Sequence, residues 1–165
     1  MSTEILRPSS TVTNSLTLFG GSGTLHASWD DAMGSGDSDG AKEDGGLAES
    51  GEVHLANPTG TPNKSVNWTL RARIRYVNNL PASLDVLVKE GGTTRATFSP
   101  TVTSSWATYE LSFDPSAIGN ANDLRIRVDT AAGGIGDEIQ IADVELEIDD
   151  TTAASPDRLP MMGVS

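Results

Sequence analysis

The chain alternates apolar and polar residues over positions 65–77, SVNWTLRARIRYV, more regularly than elsewhere in its sequence. Apolar side chains take every second position, and Arg71, Arg73 and Arg75 take positions of the other parity. Successive side chains of a β-strand point to opposite faces of its sheet. The segment is therefore predicted to be a strand with one buried face and one exposed face.

The same period of two recurs along most of the chain. Turn residues such as Gly91-Gly92 and Asp114-Pro115 separate the alternating segments, which is typical of short antiparallel strands. We therefore predict an all-β fold, an antiparallel two-sheet β-sandwich of jelly-roll type with a long Gly/Asp-rich loop and extended termini. The further predicted strands lie near residues 11–19, 52–56, 84–88, 94–98, 107–113, 124–128 and 142–148.

The apolar parity changes between Ile141 and Ala142. Ile139 and Ile141 are odd-numbered, whereas the apolar residues from Val144 onward are even-numbered. One extra residue in a strand restores the alternation, so a β-bulge is predicted here.

The length of 165 residues fits one domain. Residues 1–150 are predicted to form it. Within that domain, residues 20–51 are rich in glycine and acidic residues and are predicted to be a long loop, ordered in whole or in part. Residues 151–165 are predicted to be an extended C-terminal arm.

The composition excludes several classes of function. The chain has 11 basic and 23 acidic residues and a net charge of −12, which argues against nucleic-acid binding. It has no cysteine, so disulfide scaffolds and thiol catalysis are excluded. The sequence also has no apolar run long enough to cross a membrane and no recognisable signal peptide.

Three stretches resemble a family of small jelly-roll structural proteins of tailed bacteriophages, which are related in shape to galactose-binding-like and carbohydrate-binding modules. They are EILRPSSTVTN at 4–14, TYELSFDPSAI with DLRIRV at 108–128, and IADVELEI at 141–148. The resemblance implies that the closing strand lies near the opening segment.

The resemblance also implies a non-enzymatic virion structural protein, with capsid decoration (a cement protein) as the main hypothesis. The expected partners are the major capsid protein and copies of the chain itself, in a trimer or another symmetric homo-oligomer. The protein would be assembled in the host cytoplasm and would lie on the capsid surface. The alternative hypothesis is a glycan-binding adhesion module of a phage tail or fibre.

Arginines form two ladders along predicted strands. Arg71, Arg73 and Arg75 form the first, and Arg125 and Arg127 form the second. The acidic ladder of residues 143, 145 and 147 on the closing strand is expected to pair with basic side chains across the sheet. Any of these arginines with incomplete partners are candidates for docking on an acidic surface, since guanidinium pairs bidentately with carboxylate.

The two ends of the chain are candidates for contacts between subunits. An extended arm can add a strand to the sheet of a neighbour. Residues 2–14 and 151–165 are expected to make such contacts, with Met161 and Met162 as adaptable apolar anchors.

The acidic residues of the 20–51 segment are candidates for binding a structural calcium ion. Hard cations prefer oxygen ligands, and Asp37 and Asp39 are spaced as in the first half of a calcium loop. The twelfth position of that loop holds Gly46, which excludes an EF-hand. The proposed ligands are Asp30, Asp31, Asp37 and Asp39.

Two tryptophans are candidates for a sugar platform. Trp106 is even-numbered whereas Tyr109 is odd-numbered, so the Trp106 side chain is predicted to face away from the core. Trp29 directly precedes two aspartates, so it too is predicted to lie outside the core. Catalysis is not expected, because neither His26 nor His54 stands beside a recognisable nucleophile motif.

Overall fold

A computed structural model describes residues 2–20, 23–34, 38–43, 47–78, 83–132 and 138–151. Over these ranges the chain forms eleven β-strands, one α-helix and one 3₁₀ turn. The strands build two antiparallel sheets around one hydrophobic core, which confirms the predicted β-sandwich. Their bounds are β1 Ser2–Leu6, β2 Pro8–Asn14, β3 Thr17–Phe19, β4 Gly40–Glu43, β5 Ser50–Leu55, β6 Trp68–Val77, β7 Leu84–Glu90, β8 Thr93–Phe98, β9 Ala107–Phe113, β10 Leu124–Thr130 and β11 Glu138–Asp150.

The front sheet has the strand order β3-β4-β11-β6-β9, and β1 also pairs with β11. The back sheet has the order β2-β5-β10-β7-β8. The pairing of β1 with β11 confirms the expected closeness of the opening and closing segments.

The alternation of β6 has the predicted effect on burial. Trp68, Leu70, Ala72 and Ile74 are buried in the core, and the arginines between them lie on the outer face. The Trp68 ring meets Phe113 edge to face, with centroids 6.4 Å apart. Burial of these large apolar side chains is the main stabilising contribution to such a sandwich.

The predicted bulge in β11 is confirmed. Ile141 pairs with Ile74 and Asp143 pairs with Arg73, so Ala142 is the extra residue. The bulge lets Ile141 and Val144 both face the core while Asp143 lies on the outer face beside Arg73.

The segment 20–51 differs from the long loop that was predicted. Its described part includes the helix α1, Leu25–Trp29, and strand β4. Leu25 and Trp29 are buried in the core, where α1 packs against strands of both sheets. These side chains fill the interior space beside Gly51. A methyl group at Gly51 would lie only 2.8 Å from Leu25 and 3.0 Å from Trp29, so there is no room for one.

The N-terminal segment pairs within its own chain. β1 pairs with β11, and β2 pairs with β5 as an edge strand of the back sheet. Most of residues 2–14 therefore form strands of their own chain's sheets, and their contact with a neighbouring subunit stays a prediction. The C-terminal arm from residue 152 lies outside the described residues.

Replacing Gly40 by alanine is expected to lower the free energy of unfolding by about 1–3 kcal/mol. Gly40 has a φ of 155°, and a methyl group there would overlap the Ile141 carbonyl oxygen and lie 2.9 Å from Phe19. Thermal or urea unfolding measures the loss. Gly92→Ala is the matched control, since a methyl group at Gly92 meets nothing within 4 Å. Equal stability of the two variants would contradict the described contact between β4 and β11.

Candidate functional site

The outer face of the front sheet carries the first arginine ladder and the acidic ladder side by side. Arg73 pairs in register with Asp143, and Arg71 with Glu145, which confirms the predicted cross-strand pairing of opposite charges. Asp143 and Glu145 are buried although they lie on this outer face. Asp143 also accepts a hydrogen bond from the Gly34 backbone, at 3.1 Å.

Arg71 is held by three carboxylates of its own chain. Its guanidinium lies 2.7 Å from Glu110, 2.6 Å from Glu147 and 3.5 Å from Glu145. The hydrogen bond to Glu110, followed by that to Glu147, raises the pKa of Arg71 despite partial burial. Arg71 therefore already has carboxylate partners in its own chain, which it meets through Nε and Nη1.

Arg75 has different surroundings at the other end of the ladder. Its guanidinium lies over the Trp106 ring, 4.6 Å from the centroid, in a cation–π contact. Its Nε donates a hydrogen bond of 2.7 Å to Gln140. We call Trp106, Arg75 and Gln140 the Trp106 corner.

A chain of polar contacts fixes the Trp106 corner. The Gln140 amide donates to Glu138, and Glu138 forms an ion pair of 3.0 Å with Lys42. On the side of Trp106, the backbone of Thr103 is tied to the Tyr76 backbone and to the Tyr109 hydroxyl. The corner is thus held by side chains or backbone of β4, β6, β9 and β11.

The structure brings together two candidate residues that the sequence assigned to different roles. Trp106 was a candidate sugar platform and Arg75 a candidate docking residue, and here they are in contact. Trp106 is half-buried, and it lies on the opposite side from Tyr109 as predicted.

Trp29 does not lie at any surface site. It is fully buried, and its indole Nε1 donates to the Ile141 carbonyl oxygen at 3.2 Å. The prediction that Trp29 is an exposed platform is therefore wrong. The cause is α1, which turns this residue into the space between the sheets.

The second arginine ladder lies on the outer face of the back sheet, apart from the Trp106 corner. Arg125 and Arg127 lie around Glu52, at 3.2 Å and 3.6 Å, and Lys89 approaches the same carboxylate to 2.6 Å. Arg125 also pairs with Asp123 at 3.0 Å. Both arginines therefore have carboxylate partners in their own chain, as in a charge-paired sheet face.

The candidate calcium ligands are not gathered in the part of the chain that the structure describes. Asp30 and Asp31 are exposed, Asp39 is half-buried, and Asp37 lies outside the described residues. Among the described residues, no group of three or more acidic or histidine side chains is placed to hold a metal ion. The calcium ion therefore stays a prediction, as do the apolar anchors Met161 and Met162, which also lie outside the described residues.

A polar groove of about 430 Å³ lies between the 58–64 and 119–122 segments. Glu90 anchors one wall by accepting backbone hydrogen bonds from Asn120 and Gly119, which lower the pKa of this carboxyl group. Lys64 is bound to the carbonyl oxygens of Ile118 and Gly119. The groove has no aromatic lining residue; the full lining is Pro58, Gly60, Thr61, Pro62, Lys64, Gly119, Asn120, Ala121 and Asn122.

Within the described ranges we find no helix with the length and apolar content needed to cross a membrane.

Comparisons with known proteins connect the chain to others through its fold. No family model and no curated protein matches the sequence. The chain is similar to the solved Stig cyclase FisC from Fischerella sp. TAU, with a TM-score of 0.52 and 13% identity over 90% of this chain and 84% of that one. It is also similar to the enzymatically active domain of bacteriophage CBA120 tailspike protein 4, with a TM-score of 0.51 and 11% identity over 89% of this chain but 19% of that one.

Several solved carbohydrate-binding modules are also similar to the chain. The "Family 16 Carbohydrate Binding Module-2" is 16% identical, with a TM-score of 0.49 over 68% of this chain and 78% of that one. At these identities the likeness concerns the sandwich fold, which hosts many functions. A functional conclusion must therefore come from the residues of the site.

Proposed function

We propose that this protein is a non-catalytic glycan-binding module and that it holds a sugar against the Trp106 corner. The observation that carries the proposal is the contact between Arg75 and the half-buried Trp106 on the outer face of a sheet, with the Gln140 amide beside them. Sugar rings have apolar C–H faces and polar hydroxyl edges. Binding sites for such ligands combine aromatic surface with a few oriented polar groups.

The corner provides both kinds of surface. The Trp106 indole is apolar, and the guanidinium of Arg75 has donors that fit vicinal hydroxyl groups. Trp29 and Trp68 are fully buried, so Trp106 is the tryptophan of the three that a ligand can reach. The polar groove is the weaker candidate, because it has no aromatic lining residue and its lysine already bonds to two carbonyl groups.

Replacing Trp106 by alanine is expected to weaken glycan binding by about tenfold or more, since stacking and burial on an aromatic ring contribute roughly 1.4 kcal/mol or more. A glycan array identifies a binding oligosaccharide, and isothermal titration calorimetry measures its affinity for both proteins. Ligand binding should also change the tryptophan emission of the wild type, and Trp106→Phe should lose this change.

Asn122→Ala is the matched control, because it removes an amide from the polar groove and leaves the corner intact. Loss of binding in Asn122→Ala with full binding in Trp106→Ala would move the site to the groove. No binding to any glycan of a broad array would refute the proposed function.

Capsid decoration stays a prediction. The likeness to a phage tailspike concerns the fold. Most of the arginines proposed for docking are paired with carboxylates of their own chain, and the proposed C-terminal arm lies outside the described residues. The proposed partners and the virion location rest on the sequence resemblance, so we place the glycan-binding hypothesis first.

A further inference from the structure

We infer that the Trp106 corner selects a glycan that carries a carboxylate, such as a uronic acid unit. This inference rests on the proposed function and deepens it. It starts from the charge of Arg75. Among the residues that the structure describes, no carboxylate lies within ion-pair distance of its guanidinium, whose contacts are the Gln140 amide and the Trp106 ring.

The contrast with Arg71 is informative because both arginines lie on β6 and face the same way. Arg71 has three carboxylate partners, whereas Arg75, four residues further along, has none in the described chain. A guanidinium has five N–H donors, and only the Nε donor of Arg75 makes a hydrogen bond there. The two terminal amino groups of Arg75 can therefore bind a planar anion.

The guanidinium is also held in place before a ligand binds. Gln140 accepts from Arg75 and donates to Glu138, which is in turn paired with Lys42. The indole of Trp106 shields one side of the guanidinium from water. A fixed and partly desolvated donor pair gains more from an ionic partner than a mobile one does.

The charges around the corner favour a single carboxylate over a polyanion. Gln140 pairs in register with Arg75, Glu138 lies in the neighbouring row on one side and Asp143 in the neighbouring row on the other, and the whole chain has a net charge of −12. A long polyanionic chain would be repelled by this field. One carboxylate in an otherwise neutral oligosaccharide can bind Arg75 bidentately while its sugar ring contacts Trp106.

The test uses matched ligands, namely oligosaccharides with one glucuronic or galacturonic acid unit and the same oligosaccharides with that carboxyl group reduced to the alcohol. We expect the acidic form to bind the wild type about 10- to 100-fold more tightly, as for hydrogen bonds to charged groups. The difference should shrink as salt is added. Calorimetry at two salt concentrations measures both effects.

Arg75→Gln should bind both forms equally, and Arg75→Lys should lose most of the preference because a lysine has no planar fork. Arg127→Gln, on the opposite sheet, should keep the preference, and the melting temperature of each variant verifies its folding. If the wild type binds acidic and reduced forms equally and Trp106→Ala binds neither, this inference is overturned while the proposed function stands. Failure of the wild type to bind either form overturns this inference, and it overturns the proposed function as well if no glycan of the broad array binds. Binding to a glutamate-rich peptide alone overturns both.

Discussion

Trp29→Ala is expected to lower the free energy of unfolding by about 3–5 kcal/mol, which is the usual cost of truncating a fully buried tryptophan. Trp29 is fully buried between the sheets and contacts the region of Leu25 and Gly51. Its indole also satisfies the Ile141 carbonyl group next to the bulge. For a domain of this size, the loss corresponds to a fall in melting temperature of about 6–20 °C, measurable by calorimetry or circular dichroism.

Two further variants separate the causes of this loss. Trp29→Phe retains most of the apolar volume and loses the hydrogen bond to Ile141, so its cost should be about 1–3 kcal/mol. Trp106→Ala should cost less than Trp29→Ala, because Trp106 is half-buried on the outer face. A Trp29→Ala protein as stable as Trp106→Ala would contradict the placement of α1 in the core.

The strands of the sheets could be predicted from the sequence because the alternating pattern that specifies each strand lies within a few consecutive residues. The alternation of β6 and the parity change at Ala142 are both visible in the sequence, and both correspond to the described strand and bulge. The burial of alternate side chains on one face is sufficient to specify such elements.

Helix α1 could not be predicted in the same way. It has five residues, which is too short to show a period of 3.6, and it lies in a segment rich in glycine. Its burial depends on the space between the sheets, which is a tertiary property. For this reason the sequence alone places Trp29 at the surface beside its acidic neighbours.

The Trp106 corner could be predicted only in part. Parity correctly assigned Trp106 and Arg75 to positions outside the core, but their contact depends on the register between β6 and β9. Neither strand specifies that register by its own sequence. The difference between Arg71 and Arg75 is also hidden in the sequence, because it depends on which carboxylates the neighbouring strands β9 and β11 bring close.

Glu52→Gln is expected to lower the free energy of unfolding by about 2–3 kcal/mol near neutral pH, at or slightly below the usual cost of breaking a buried ion pair. The Glu52 side chain is 4% exposed, and Lys89, Arg125 and Arg127 surround it. Removing its charge leaves the partly buried Lys89 ammonium without its carboxylate. Denaturant unfolding at several pH values measures the effect.

The pH dependence gives this prediction a second and independent readout. Burial alone would raise the pKa of Glu52, but the hydrogen bonds from Lys89 and Arg125 outweigh it and hold the pKa below its ordinary value of 4.5. A carboxyl group with a lowered folded pKa stabilises the protein fully above its unfolded pKa and loses this contribution as the pH falls through the folded value. The stability difference between wild type and Glu52→Gln should therefore shrink in acid.

Glu110→Gln is the control, because Glu110 is 57% exposed and its pairing with Arg71 contributes about 1 kcal/mol or less. If the difference in unfolding free energy between wild type and Glu52→Gln stays constant down to strongly acidic pH, the ionised Glu52 carboxylate is not the cause of that difference.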